Sequence, residues 1–309
     1  MSNMNRKKLW RFILPLIIVV KVVVIVMILG SARGDEQPTI VEVENDFKFT
    51  VAEIPDSVSF AGEAMPLNRF DVKEALDREL LSNTYFHSQT IRYMKLAPRY
   101  FSIIEPILKE KGIHEDFKYL AVAESGLNPR AVSPAQAVGF WQFLSGTARD
   151  YGLEVNNEID ERYHIEKATY AACDYLHNSY EKFGSWALVA ASYNRGVTGI
   201  RRQLERQKTN DYYDLLITTE TARYVYRIVA LKLIMENPER YNFTISEEDK
   251  YPIIPTKEIE ITGSVADFAD YAKEHGISYK LLKDFNPWLR ETKLTNSRKR
   301  KYVVKIPQL

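Results

Sequence analysis

The sequence predicts a mainly α-helical protein with a small α+β module at its C-terminal end and a transmembrane helix at its N-terminal end. Three patterns lead to this fold class. Apolar residues recur at helical spacing over residues 71–240, a strand–helix–helix–strand pattern fills residues 258–309, and residues 12–30 form one apolar run. With 309 residues, the chain is long enough for one sizeable domain and a small one. A formal net charge of +1 gives no indication of a nucleic-acid partner.

The N-terminal element is a candidate membrane anchor. Residues 1–11 form a basic tail, and residues 12–30 are mostly Ile, Val and Leu, interrupted by Lys21. A membrane-spanning helix needs roughly 20 apolar residues, and a lysine at its centre costs about 2.5–3.5 kcal/mol, which the apolar residues outweigh. Because positive charge favours the cytoplasmic side, we expect the rest of the chain on the other side of the membrane. A signal peptide that is cleaved near residues 30–32 is the alternative.

Residues 31–70 are expected to form a tether. This span is acidic, contains prolines and shows no sustained period. Two stretches within it, 41–44 and 47–51, alternate like short edge strands. Helical spacing resumes over residues 71–81 and 88–109, so the tether should lead into a helical domain that we place at residues 71–240.

The first candidate functional residue of the helical domain is Glu124. Phe117, Leu120, Ala121 and Glu124 fall at i, i+3, i+4 and i+7, so on a helix they share one stripe. Three of the four are apolar, which places the carboxyl group at the edge of a core. Burial raises the pKa of a carboxyl group, and a carboxyl group that keeps its proton near neutral pH can act as a general acid. The alternative is a structural carboxylate that pairs with a neighbouring Arg or Lys.

A second motif, Gly139 to Phe143, follows a loop rich in Pro, Ala, Ser and Gln over residues 128–138. A glycine at such a place lets the backbone approach a ligand closely. The side chain of Gln142 can donate and accept hydrogen bonds to a sugar. We expect Phe140 and Trp141 to be packing residues rather than ligand platforms.

Two later segments each place a polar side chain at a helix end. In residues 186–196, small alanines share a face with Asn194, and Gly196 is a natural helix stop. Asn194 is therefore either an amide that binds a ligand or a capping residue of its own helix. In the next predicted helix, which starts near residue 219, Tyr224 shares an apolar stripe, as a core tyrosine commonly does.

These four segments, in this order, resemble the signature motifs of the lytic transglycosylase domain. The sequence Gly-Phe-Trp-Gln-Phe, followed later by Thr-Glu-Thr-Ala-Arg-Tyr-Val, looks most like the membrane-bound D branch of that family. The resemblance covers residues 90–240 and implies a lysozyme-like helical catalytic domain. It implies a single catalytic residue, Glu124, and a set of substrate-binding residues: Ser125, Gln142, Tyr193, Asn194 and Tyr224. The family usually has a small residue where Arg195 stands. This side chain is expected to face solvent, and pairing with a peptide carboxylate of the substrate is the alternative.

The resemblance implies a reaction that needs only one carboxyl group. Glu124 would protonate the glycosidic oxygen between N-acetylmuramic acid and N-acetylglucosamine, with Ser125 as a hydrogen-bonding partner that orients it. The same carboxylate would then take the proton of the C6 hydroxyl group, which closes a 1,6-anhydro ring. The implied partner is the glycan strand of peptidoglycan, and the implied location is the cell envelope, with the catalytic domain in the periplasm.

The C-terminal residues show a separate pattern. Prolines mark residues 241–257 as a linker, and residues 258–309 follow in the order strand 259–262, helix 265–275, helix 278–285 and strand 301–307. This βααβ order and the wording of residues 272–286 resemble a LysM module, which binds N-acetylglucosamine. The usual Gly-Asp-Thr-Leu turn is replaced by Val-Ala-Asp-Phe at residues 265–268. A small packing domain is the alternative.

The remaining patterns exclude several other classes of site. The five histidines show no ligand spacing, so no metal is expected, and no cofactor motif is present. The one cysteine, Cys173, lies in a predicted helix and is expected to be a small buried residue. Asp150, Asp160 and Glu161 fall outside the matched motifs. Two rival functions remain open: a goose-type lysozyme, which hydrolyses the same bond, and a non-catalytic protein that binds peptidoglycan.

Overall fold

The computed structural model describes residues 51–308, which belong to one compact unit. The basic tail, the apolar run at 12–30 and the stretch at 41–44 lie outside the described residues. Within residues 51–308, no helix is both long and apolar enough to cross a membrane.

The described chain is mainly helical, which confirms the expected fold class for this part. A short hairpin comes first, with strands β1 (Ser59–Phe60) and β2 (Glu63–Ala64). Eight helices follow: α1 (Phe70–Tyr85), α2 (His87–Glu110), α3 (Lys118–Ser125), α4 (Ser145–Asp150), α5 (Ile165–Phe183), α6 (Trp186–Arg195), α7 (Val197–Gln207) and α8 (Thr219–Glu236). The last elements are strand β3 (Thr256–Ile261), helices α9 (Phe268–Glu274) and α10 (Tyr279–Phe285), and strand β4 (Tyr302–Pro307).

Helix α8 lies at the centre of the helical part. It packs against α1, α3 and α6, and ten of its residues are buried. Apolar residues occupy almost its whole circumference, which is typical of a helix that is enclosed on all sides. Cys173 on α5 is fully buried in the same core, as expected for a small apolar residue. The helices that carry the motifs therefore meet around α8.

Residues 51–69 are packed, which differs from the expected tether over this part of the chain. Ala52, Val58, Phe60 and Met65 are buried in the main core. The backbone N–H of Ala61 donates to the buried Asp116 carboxylate at 2.8 Å. The sequence of this segment has no period because its residues pack as irregular chain and a two-residue hairpin, neither of which needs one.

The C-terminal residues form the expected βααβ module. Strands β3 and β4 pair antiparallel, from Thr256 opposite Pro307 to Ile261 opposite Tyr302. Helix α9 begins at Phe268, three residues later than the pattern indicated, because the Asp267 side chain caps it by accepting from Ala269 N at 2.5 Å. The second helix and the closing strand lie within one residue of the expected bounds.

The module is docked on the helical part through a second apolar cluster. Val138, Ile159 and Tyr163 pack there with residues of the module such as Leu289 and Val304. Two backbone hydrogen bonds cross the same contact, from Asp160 N to Trp288 O at 2.9 Å and from Arg290 N to Glu158 O at 2.8 Å. The segment expected to be a linker is held as well, since Tyr251 N donates to Lys95 O on α2 at 2.8 Å.

Candidate active site

The end of α3 brings the Glu124 carboxyl group to the edge of the core. The helix stops at Gly126, which has a left-handed backbone with φ of 58°. Phe117, Leu120 and Ala121 on the same stripe are fully buried, whereas Glu124 is half-buried. The hydroxyl group of Tyr224, a residue of the central helix α8, donates a hydrogen bond to Glu124 Oε1.

Burial raises the pKa of Glu124 to about 7, against an ordinary value of 4.5. The hydrogen bond from Tyr224 and the charge of Arg227 oppose this rise, and the charge of Glu220 adds to it. Arg227 does not pair with Glu124, since its Nε atom lies 3.7 Å from Glu79 Oε2. The geometry therefore favours the general acid over the structural ion pair. A carboxyl group with this pKa can both give and take a proton near neutral pH.

Tyr224 is both a core residue and a residue of the site. Tyr224 is 3% exposed, and its hydroxyl group reaches Glu124. Burial, followed by the nearby Glu124 charge, raises the pKa of Tyr224 well above its ordinary value, so the hydroxyl group keeps its proton and remains a donor.

Tyr193 and Asn194 at the end of α6 are held by bonds within the protein. Tyr193 Oη donates to Trp141 O at 2.8 Å, which ties α6 to the second motif. Asn194 accepts from Thr221 Oγ1 at 2.8 Å and donates to Glu220 Oε1 at 3.2 Å. Asn194 therefore joins α6 to the start of α8 and does not cap its own helix, which ends at Arg195 and is capped by Gly196.

The side chains of Ser125 and Arg195 differ from what the sequence led us to expect. The Ser125 hydroxyl group donates to the carbonyl of Ala121 at 2.9 Å, one turn back in the same helix, rather than to Glu124. Arg195 is half-buried rather than solvent-facing, and its guanidinium group donates to Thr218 Oγ1 at 3.1 Å. The Ser125 hydroxyl group meets a carbonyl oxygen of its own helix, and the end of α6 brings Arg195 within reach of Thr218.

Gly139 allows a close approach of the protein's own backbone at the place where a side chain would otherwise stand. Its φ is 80°, and a Cβ atom at this position would lie 2.0 Å from the carbonyl oxygen of Arg162. Gln142 also has a positive φ, of 47°, and its Nε2 atom donates to Gly139 O at 2.8 Å. Phe140 and Trp141 are fully buried, which confirms that they are packing residues.

Glu220 is a residue of the site that the sequence analysis did not identify. It lies one turn before Tyr224 on α8, and its charge raises the pKa of Glu124. The available signal was its i, i+4 spacing from Tyr224, which places both side chains on one helix face. By contrast, Asp160 pairs with Arg162 at 2.7 Å and Glu161 pairs with Lys167, so both are structural.

The described residues contain no cluster of His, Cys, Asp and Glu that could hold a metal ion. The site between α3, α6 and α8 contains the Glu124 carboxyl group, the Tyr224 hydroxyl donor, the Asn194 amide and the nearby Glu220. A cavity of about 590 Å³ lies elsewhere, between α2 and the C-terminal module, and Glu124 does not line it.

Two family models match separate parts of the chain. Residues 102–216 match the family model of the transglycosylase SLT domain. Residues 257–309 match the model of the soluble lytic transglycosylase C-terminal LysM-like domain. The first match contains Glu124, Gln142 and Asn194, and both matches confirm the resemblances found in the sequence.

Curated relatives point to the same family. The chain is 29% identical over 228 residues to the membrane-bound lytic murein transglycosylase D of Escherichia coli K12 and, equally, to that of Escherichia coli O6:H1. The alignment covers 72% of this chain and 49% of the relative, so the chain spans about half the length of the curated relatives it matches.

Two solved structures are similar over part of the chain. The 70 kDa soluble lytic transglycosylase of Escherichia coli matches with a TM-score of 0.39 at 22% identity, over 45% of this chain and 24% of that one. An inactive mutant of the lytic transglycosylase Slt from Pseudomonas aeruginosa matches with a TM-score of 0.38 at 20% identity, over 51% of this chain and 28% of that one.

Proposed function

We propose that this chain, with its transglycosylase SLT domain and LysM-like C-terminal domain, is a peptidoglycan lytic transglycosylase. It would cleave the β-1,4 bond between N-acetylmuramic acid and N-acetylglucosamine and form 1,6-anhydromuramic acid. The observation that carries this proposal is the carboxyl group of Glu124, which is half-buried, hydrogen-bonded by Tyr224 and given a pKa of about 7.

Glu124 would act twice in the reaction. With its proton on, it donates to the glycosidic oxygen as the bond to the anomeric carbon breaks. The N-acetyl group of the same muramic acid stabilises the cation-like sugar. The carboxylate then removes the proton of the C6 hydroxyl group, whose oxygen attacks the anomeric carbon. A pKa near the working pH suits both steps, because neither protonation state is costly to reach.

Tyr224 would hold Glu124 in place during both steps. Its hydroxyl group bonds Oε1, which leaves Oε2 for the glycosidic oxygen. The bond stabilises the carboxylate more than the acid, so it also makes the carboxyl group a better proton donor.

The other matched positions would bind substrate. These are Ser125, Gln142, Tyr193 and Asn194, which match the family's motif positions in order along the chain. Asn194, held by Thr221 and Glu220, would meet an N-acetyl or hydroxyl group of the sugar with a fixed amide. Gln142, held by the carbonyl of Gly139, would do the same from the opposite motif.

The rest of the chain would bring this site to the cell wall. Residues 12–30 would anchor it to a membrane of the cell envelope, with the catalytic domain at 71–240 in the periplasm. The segment at 241–257 would link it to the module at 258–309, which would bind glycan strands. The membrane-bound character of the two curated relatives supports the anchor.

The test is digestion of purified peptidoglycan by the protein and by its Glu124→Gln variant, with mass analysis of the products. The expected result is anhydro-muropeptides from the parent protein and none from the variant. Products heavier by one water would make the protein a goose-type lysozyme. Binding to peptidoglycan without any product from the parent protein would make it a non-catalytic binding protein.

A further inference from the structure

The C-terminal module reaches the loop that carries Gln142 along two paths. We call residues 128–143 the glutamine loop. On the first path, the Arg130 guanidinium group lies 2.8 Å from Asp284 Oδ1 and donates to Lys283 O at 2.9 Å, and both partners belong to α10 of the module. The next carbonyl along the loop, that of Ala131, accepts from Gly139 N at 2.9 Å and from Gln142 Nε2 at 3.3 Å.

The second path runs through a buried ion pair. Asp160 donates its backbone N–H to Trp288 O of the module at 2.9 Å. Its carboxylate binds the Arg162 guanidinium group twice, at Nε with 2.9 Å and at Nη2 with 2.7 Å. Both side chains are only 10% exposed, so water competes little with these bonds.

Arg162 in turn holds the glutamine loop at its middle and at its C-terminal end. Its Nη1 atom donates to Gln136 O at 3.0 Å and to Phe143 O at 3.1 Å. The carbonyl oxygen of Arg162 would lie 2.0 Å from a Cβ atom at Gly139, so it packs directly against this glycine. Val138, between these contacts, packs in the apolar cluster of the module. The back of the loop is therefore built from Arg162 and from the module together.

We propose that Arg162, oriented by Asp160 and by the docked module, is a positioning residue that holds the glutamine loop in the shape that presents Gln142 to the glycan. The role of Gln142 in glycan binding rests on the proposed function. The ordering of the loop rests only on the contacts described above. The module thus forms part of the catalytic domain's substrate-binding wall, in addition to any glycan binding of its own.

The central test is Arg162→Lys in the full chain. Lysine keeps the charge but lacks the planar group that binds a carboxylate and two carbonyls at once. With soluble, uncross-linked glycan strands as substrate, the KM should rise about tenfold while kcat stays within about twofold, because lost uniform binding raises KM alone. Gln142→Ala should raise KM to a similar extent.

The double variant separates positioning from a general loss of stability. If Arg162 acts through Gln142, then Arg162→Lys combined with Gln142→Ala should raise KM no further than either change alone. Arg201→Lys is the matched control, because Arg201 is exposed on α7 and faces Glu205. It should leave both constants unchanged. Independent effects that multiply, or a fall in kcat at constant KM, would overturn the proposal.

Hydrogen exchange gives a second measurement that needs no activity. Peptides of the glutamine loop should exchange faster in Arg162→Lys and in the module variant Asp284→Ala, while peptides of α8 stay unchanged. Faster exchange in a protein that cleaves no glycan would reject the proposed function and leave the positioning role standing. Cleavage with an unchanged KM and unchanged loop exchange in Arg162→Lys would reject the positioning role and leave the function standing.

Discussion

At the scale of single residues, Glu124 and Tyr224 are packed at the edge of the core and also form the polar part of the site. A buried carboxyl group resists ionisation, and a buried tyrosine needs a hydrogen-bond acceptor. The Tyr224 hydroxyl group finds its acceptor in Glu124 Oε1, and Glu124 gains a hydrogen-bond donor. Burial also raises the pKa of Glu124, so the carboxyl group is less ionised near neutral pH than an exposed one. The residues that pack around the end of α3 therefore also set the pKa of Glu124.

Replacing Tyr224 by Phe should change the pH dependence of cleavage. The parent protein should lose activity above a midpoint near the Glu124 pKa of about 7, because the acid must carry its proton. The Tyr224 hydroxyl group favours the ionised carboxylate, so its removal should raise that pKa and move the alkaline midpoint to higher pH. The rate at the optimum should fall about tenfold or more, as loss of a positioned group commonly costs. A midpoint that moves to lower pH would contradict this assignment.

Replacing Glu124 by Gln should stabilise the protein, and more so at high pH. The native state binds the Glu124 proton more tightly than the unfolded chain, whose ordinary value is 4.5. The stability of the parent protein should therefore fall as pH rises from 4.5 through about 7, by up to about 3 kcal/mol. The variant lacks this loss, since its amide does not titrate.

Thermal unfolding of both proteins at pH 5 and pH 8 checks the linkage. The gain in Tm of Glu124→Gln should be small at pH 5 and clearly larger at pH 8. Equal gains at the two values would show that the Glu124 carboxyl group is not buried enough to shift its pKa.

At the scale of elements, the glutamine loop depends on one glycine. Gly139→Ala should destabilise the protein by about 3 kcal/mol or more, because the backbone there has φ of 80° and a Cβ atom would overlap the carbonyl of Arg162. Gly146→Ala is the matched control: Gly146 lies in α4 with nothing within 4 Å of its would-be Cβ atom, so alanine should stabilise by up to about 1 kcal/mol. Denaturant unfolding of both variants measures the two effects.

The helix patterns were predicted well because they are local. Apolar spacing alone marked α1 and α2. The structure begins α1 one residue earlier and ends it four residues later, and it extends α2 by one residue at each end. The helix that carries Glu124 was also visible from its stripe and from Gly126. Residues 51–69 were not predicted as part of the core, because they pack without any repeat that a sequence pattern could show.

At the scale of the whole molecule, the helical part and the module should unfold together. They share the apolar cluster of Val138, Ile159 and Leu289, and backbone hydrogen bonds cross it. Leu289 is fully buried, so Leu289→Ala should cost about 2–5 kcal/mol. In calorimetry we expect a single transition that moves to lower temperature as a whole.

The matched control for Leu289→Ala is a substitution on the exposed face of the module. Val303→Ala, at an exposed position of β4, should leave the transition nearly unchanged. A separate low-temperature transition in Leu289→Ala, with the main transition unmoved, would show that the module folds independently of the helical part.

By itself, the sequence determined most of the helices, the C-terminal module and the candidate acid Glu124, although it missed Glu220 and the packing of residues 51–69. Periods of 3.6 and 2 residues are set by local backbone geometry, so α3, α8 and the βααβ module follow from nearby residues. The order of the motifs then indicated a family, and the family models agree over residues 102–216 and 257–309.

Only the tertiary structure decided how these residues meet. The Tyr224 hydroxyl group bonds a carboxyl group 100 positions earlier, Thr221 bonds Asn194, and Arg162 fills the space beside Gly139. Ser125 instead donates to a carbonyl oxygen of its own helix. In each case the packing of the elements sets which polar atoms lie within about 3 Å of each other. Such distances depend on contacts between segments far apart in the chain, and no local pattern carries them.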